Sequence, residues 1–157
     1  MNLNSLQDVQ KYMSSVDLTT LKRDELLELN LIADELGRRE KQKACRSDFL
    51  SFVRTMWPNF IEGAHHRVMC EQFNKIARGE LKRVIINMAP RHSKSEMSSY
   101  MLPSWLLGIK PDLKIIQATH TGELAVRFGR KVRDLVDTEE YKEIFPNVSL
   151  RADSKAA

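Results

Sequence analysis

The chain has 157 residues, with 42% hydrophobic and 29% charged, a balance that suits one globular domain with a real core and excludes a disordered or fibrous protein. Lys and Arg outnumber Asp and Glu by 25 to 21, for a net charge of +4, so an anionic partner is permitted but not demanded. Cys45 and Cys70 stand alone without C-x-x-C spacing, the opening residues carry no targeting pattern, and no apolar run approaches the ~18 residues of a membrane span; the expectation is a soluble protein of a reducing cytosol, with no disulfide framework, zinc site or membrane role.

Residues 1 to about 17 are polar and are expected to fray. From Leu18 to about Ala44 the spacing predicts a helix, because Leu29, Ile32, Ala33 and Leu36 fall at i, i+3, i+4 and i+7 with acids early and bases late. Its basic end, RREKQKACR, reads as a solvated helix terminus, with a DNA or partner surface as the alternative. A second helix runs from Ser47 to Trp57, its stripe of Phe49, Leu50, Val53 and Trp57 stopping ahead of Pro58. A third, His66 to Arg78, carries Met69, Phe73, Ile76 and Ala77 and stops at Gly79. His65 and His66 are neighbours and so lie on different faces of any helix, with no third ligand spaced to join them.

The β-branched run Val84, Ile85 and Ile86 predicts a strand over about Arg83 to Met88, followed by a turn with Pro90 and a helix from Ser95 to Leu107 that Pro103 should kink. Gly108 and a Pro111-Asp112 turn lead to a second predicted strand, Leu113 to Thr119, and Thr121 then caps a helix through Phe128, Val132, Leu135 and Val136. A short helical piece, Tyr141 to Phe145, is closed by Pro146. Strand, helix, strand, helix with these connections predicts an α/β fold that begins a parallel sheet with a right-handed crossover.

The chemistry concentrates in RVIINMAPRHSKSEMSS, Arg83 to Ser99. A loop between a strand and a helix can wrap backbone N–H groups around phosphates, send a lysine to the β- and γ-phosphates and use a hydroxyl to hold Mg²⁺. Lys94 and Ser95 stand where such a loop keeps them. The full pattern G-x-x-x-x-G-K-[ST] is not met, because Met88 and Ser93 occupy the glycine positions. Serine in the conformation that glycine takes ahead of the lysine costs on the order of 1 kcal/mol, which is tolerable.

MAPRHSKSE, followed by SWLLGIKPDLKIIQATHTGELAVRFGRKVRDLV, resembles the ATPase domain of the large terminase subunit of tailed bacteriophages, the motor that pumps DNA into empty proheads. That family has a deviant phosphate loop, P-R-x-G-K-S, which Pro90, Arg91, Lys94 and Ser95 match while Ser93 departs from it. The resemblance runs from about Phe49 to the end. Residues 1–46 are read as an amino-terminal helical segment, and over 47–157 the resemblance implies the incomplete start of a P-loop NTPase sheet of the ASCE type. ATP and Mg²⁺ are the implied ligands, held by Pro90, Arg91, His92, Ser93, Lys94 and Ser95. Lys94 would be catalytic, neutralising charge on the β- and γ-phosphates as it develops during phosphoryl transfer, Ser95 would ligate Mg²⁺, and Arg91 would be a second catalytic cation near the γ-phosphate or a sensor of it or, alternatively, an ordinary surface arginine.

The resemblance further places His65, His66 and Gln72 near the adenine, against the simpler reading of packed or exposed side chains. Implied partners are double-stranded phage DNA, the portal protein, the small terminase subunit and further copies in a homo-oligomeric ring, all in the host cytoplasm. The basic helix with Arg127, Arg130, Lys131 and Arg133 would be a DNA or subunit surface, or else a solvated face paired with Glu123 and Asp134. Thr119 and His120 either contact ligand or cap that helix.

No acidic strand end follows Ser95 to serve as the Walker B residue, and the family's two-metal endonuclease domain has no counterpart here. The chain is therefore expected to be an amino-terminal part that binds ATP without turning it over. Two alternatives remain open: a P-loop helicase or translocase, and a non-catalytic α/β interaction module in which Lys94-Ser95 is accidental.

Overall fold

The computed structural model describes residues 5–16 and 21–150, which form two compact units, Met1–Lys43 and Ala44–Ala157. In the first, α1 (Leu6–Ser15) begins where the Asp8 N–H donates to Ser5 Oγ at 3.1 Å and the Ser5 hydroxyl donates back to the Asp8 carboxylate at 2.7 Å. This reciprocal cap is enough to order a turn, so helix replaces the fraying expected over this stretch. The predicted start at Leu18 lies outside the described residues. The long helix α2 (Arg23–Ser47) opens with Asp24 and Glu25 and buries Leu29, and the head of its basic run is held by Glu35, which pairs with both Arg38 and Arg39.

In the second unit, α3 (Phe49–Met56) is set by a small polar network. Asp48 accepts from the Ser51 N–H at 2.8 Å, Asn74 donates to the other Asp48 oxygen at 2.7 Å, and the Phe49 N–H donates to Asn74 Oδ1 at 2.9 Å. Burial raises the Asp48 carboxyl, but the hydrogen bonds from Asn74 and Ser51 outweigh it and leave its pKa below the ordinary value. Asn74 belongs to α4 (Ala64–Arg78), so one amide fixes two helices to each other. That helix ends at Gly79 with φ +79°, where the Gly79 N–H bonds to the Ile76 carbonyl and the Glu80 N–H to the Lys75 carbonyl, a Schellman close.

Lys94 opens a continuous helical stretch: α5 (Lys94–Glu96), a π-helical turn (Met97–Met101) and α6 (Leu102–Ile109). Pro103 has no N–H to give to the Ser99 carbonyl, and the ladder widens just ahead of it. The Gln117 amide supplies the missing donor at 3.2 Å. The expected kink at Pro103 is thus absorbed by a π turn and a side chain from further along. Gly108 lies inside α6 rather than after it, because the Phe145 ring sits directly on it: a Cβ there would meet the ring at 2.5 Å.

Helix α7 (Gly122–Val136) is capped as expected by Thr121, which accepts from the Leu124 N–H at 3.3 Å, and Thr119 donates to the Thr121 carbonyl at 2.6 Å. Helix α8 (Glu139–Ile144) follows. Together these helices bury an aromatic core. Phe49 packs edge-on to Phe73 and tilted against Trp105, both at 5.3 Å between ring centres. The polar ends are satisfied: the Trp105 indole donates to the Cys45 carbonyl at 2.8 Å and the Tyr141 hydroxyl to the Ser104 carbonyl at 2.7 Å.

The expected α/β architecture is overturned. The elements among the described residues are all helical, and neither 83–88 nor 113–119 forms a strand. Both segments run between helices without the ladder of hydrogen bonds that makes a strand. A β-branched run favours an extended backbone but becomes a strand only when another segment takes its N–H and C=O groups. Here none does, so no parallel sheet and no crossover form.

Candidate phosphate loop

The predicted site residues Pro90, Arg91, His92, Ser93, Lys94 and Ser95 form one exposed to half-buried loop that leads into the helix at Lys94. Two of them have left-handed backbone, Arg91 at φ +65° and Ser93 at φ +59°. With ψ 12°, Ser93 adopts the conformation glycine takes most cheaply, although it is the serine that departs from the family pattern. Strain of about 1–2 kcal/mol at such a residue persists only where surrounding structure imposes it.

The αL backbone keeps the Ser93 hydroxyl from capping the helix, and no side chain caps it. The Met97 N–H bonds to the Ser93 carbonyl at 2.9 Å, so the first N–H groups of this helix are left directed out of its amino end. Among the described residues neither Arg91 nor Lys94 has a carboxylate partner. An uncapped helix start with two free cations is a setting for an anion.

The loop is held against the start of α4. The Gly63 N–H donates to His66 Nδ1 at 3.0 Å, so in the neutral ring the proton sits on Nε2 and points at His65 Nε2, 3.1 Å away. His65 meets the His92 ring edge-on with 5.4 Å between centres, and His92 Nδ1–H donates to the Pro90 carbonyl at 2.9 Å. Burial, followed by the neighbouring His65, lowers the His66 pKa. Three imidazoles therefore join α4 to the loop, although among the described residues no group of His, Cys, Asp or Glu could hold a metal ion. Adjacent histidines were expected on different faces, but their rings touch because they sit at a helix start, where the first side chain can fold back over Gly63.

His66 itself is buried, against Phe60. It is His65 that lines, with Gln72, Val68 and Met69, an apolar groove of about 390 Å³ whose other wall is 84–88. Beyond the loop, Lys131 on α7 reaches both oxygens of Glu96, at 2.9 and 2.8 Å. The sequence offered no sign of this pair, since its members stand 35 residues apart. Of the basic residues on α7, Arg133 pairs with Asp134 at 3.0 Å, while Arg127 and Arg130 are exposed on an open trough of about 770 Å³.

Cys70 is buried and its thiol is pushed up to about 12, by burial first and then by the Asp48 and Glu62 carboxylates, so it is inert. Among the described residues no helix is long and apolar enough to cross a membrane. Comparison with protein-family models, with curated proteins and with solved structures returns no match to this chain.

Proposed function

We propose that the loop from Pro90 to Ser95 binds the phosphates of a nucleotide, with Lys94 on the β- and γ-phosphates and Arg91 beside it. The observation that carries this reading is Ser93: it takes the left-handed backbone a phosphate-binding loop needs ahead of its lysine, and it leaves the helix start uncapped beside two cations without partners. Mg²⁺ arriving with ATP would neutralise phosphate oxygens, and the hydroxyl of Ser95, which is exposed, would ligate it. In this reading the groove beside His65 and Gln72 takes the base.

With the resemblance of the motifs around Pro90–Ser95, SWLLG and RFGRKVRDLV, the reading extends to part of a terminase large subunit, working in the host cytoplasm on double-stranded phage DNA with a portal protein, a small subunit and further copies of itself in a ring. The exposed Arg127 and Arg130 would serve such a surface. Turnover would further require a carboxylate to activate water, with Lys94 and Arg91 neutralising the charge that develops on the phosphates.

Titration of the chain with Mg·ATPγS by calorimetry tests the reading. Charge-assisted hydrogen bonds are worth about 1.5–3 kcal/mol, so Lys94→Ala should weaken binding by about tenfold or more. Equal affinity in the two proteins would exclude Lys94 from a phosphate site and leave the interaction-module reading.

A further inference from the structure

Glu96 is the awkward residue of this loop. It lies two positions past Lys94, in the first turn of the helix, where a carboxylate is attracted by the helix end and competes with or repels an incoming phosphate. Lys131 prevents this. Its ammonium touches both Glu96 oxygens and sits 5.1 Å from the Tyr100 ring centre and 6.0 Å from that of Phe128, so the lysine is steered by two aromatic faces. Both members of the pair are only about one-third exposed, at 34% and 35%, which weakens screening by solvent relative to an open surface pair. The tie also crosses from α7 to the first turn of the loop helix.

We infer that Lys131 is a positioning residue of the phosphate site: by neutralising and tethering Glu96 it keeps that carboxylate off the helix end and leaves Arg91 and Lys94 for the anion. Lys131 does not itself meet the ligand. The inference rests on the phosphate reading above and adds the part played by α7.

The test is Mg·ATPγS affinity of the full chain as wild type, Lys131→Met, Glu96→Gln, the double variant and Lys131→Arg, with Lys94→Ala alongside. Lys131→Met should weaken binding by about fivefold, as a freed charge next to the site would. Adding Glu96→Gln should restore affinity to within about twofold of wild type, and Lys131→Arg should retain it, because the effect runs through the carboxylate. Glu96→Gln alone should bind at least as tightly as wild type, which keeps a decision available if Lys131→Met does not fold. Unchanged affinity in Lys131→Met, no restoration by Glu96→Gln, or weaker binding by Glu96→Gln alone would overturn the inference while leaving the phosphate site standing. Wild-type binding that is absent, or that Lys94→Ala does not reduce, would instead remove the phosphate reading and this inference with it.

Discussion

Trp105 and Ile85 stand on either side of the proposed phosphate loop in the chain and meet opposite fates. Trp105 is 1% exposed, packed on Phe49 and hydrogen-bonded to Cys45, whereas Ile85 is 88% exposed. Ile116, in the other extended segment, is 95% exposed. All three residues are strongly apolar, so the difference is not composition. Around Trp105 the helices supply several neighbours at once, and each also satisfies its own backbone internally. An extended segment cannot satisfy its backbone internally and has no second segment beside it here, so alternate side chains such as Ile86 and Met88 rest partly buried on the helical core while Ile85 and Ile116 face away from it. Stability should therefore reside in the helices, while the proposed phosphate loop lies among segments that contribute little to it.

The largest expected effect tests that contrast directly. Trp105→Ala removes a buried ring and its hydrogen bond and should cost about 3–5 kcal/mol, whereas Ile85→Ala and Ile116→Ala should each change stability by no more than about 0.5 kcal/mol. Urea midpoints of the three variants decide it, and a large loss at Ile85 would mean that this side chain is packed in solution. Next in size, Gly108→Ala forces a methyl into the Phe145 ring and should destabilise by about 1–3 kcal/mol. A helix-stabilising gain there, which alanine would bring at an open site, would show that the ring does not rest on the backbone. Asp48→Ala, which removes the cap of α3 and a partner of Asn74, should cost about 1–2 kcal/mol in the same assay.

The smallest effect concerns the histidines that join core to loop. His66 is buried beside His65, and burial first, then that neighbour, lower its pKa in the fold relative to an unfolded value near 6.5. The unfolded chain therefore binds the extra proton more readily, so this contribution is complete above about pH 6.5 and is lost as the pH falls below it. His66→Gln keeps a side-chain acceptor for the Gly63 N–H and removes the titration. Its stability should fall less than that of wild type between pH 8 and pH 5.5, and parallel losses would contradict the assignment.

The helices were legible because their signals are local. The i, i+4 pairs Phe49 with Val53 and Met69 with Phe73, the i, i+7 pair Phe128 with Leu135, the cap at Thr121 and the stop at Gly79 lie within a few residues of what they determine, and each is found where expected. The sheet was misread for the complementary reason: Val84–Ile86 and Ile115–Ile116 state a preference for extended backbone, while strand formation depends on distant partners that no local pattern encodes. In the candidate site, Lys94 and Ser95 could be read from their order in the chain. The glycine-like backbone at Ser93 was likewise implied by its place ahead of the lysine, whereas the contact of His65 with His92 and the Glu96–Lys131 pair could not be read, because each is produced by tertiary placement of residues whose types are common on any surface.

The most direct test of the central claim, that Pro90–Ser95 is a working phosphate loop, is thermal unfolding of the chain with and without Mg·ATPγS beside Lys94→Ala. At 100 times its Kd a ligand stabilises the folded state by about 2.7 kcal/mol, a readily visible shift in midpoint. The account predicts that shift in wild type and its loss in Lys94→Ala. A folded wild-type chain with an unmoved midpoint, or a shift that survives the substitution, would contradict it.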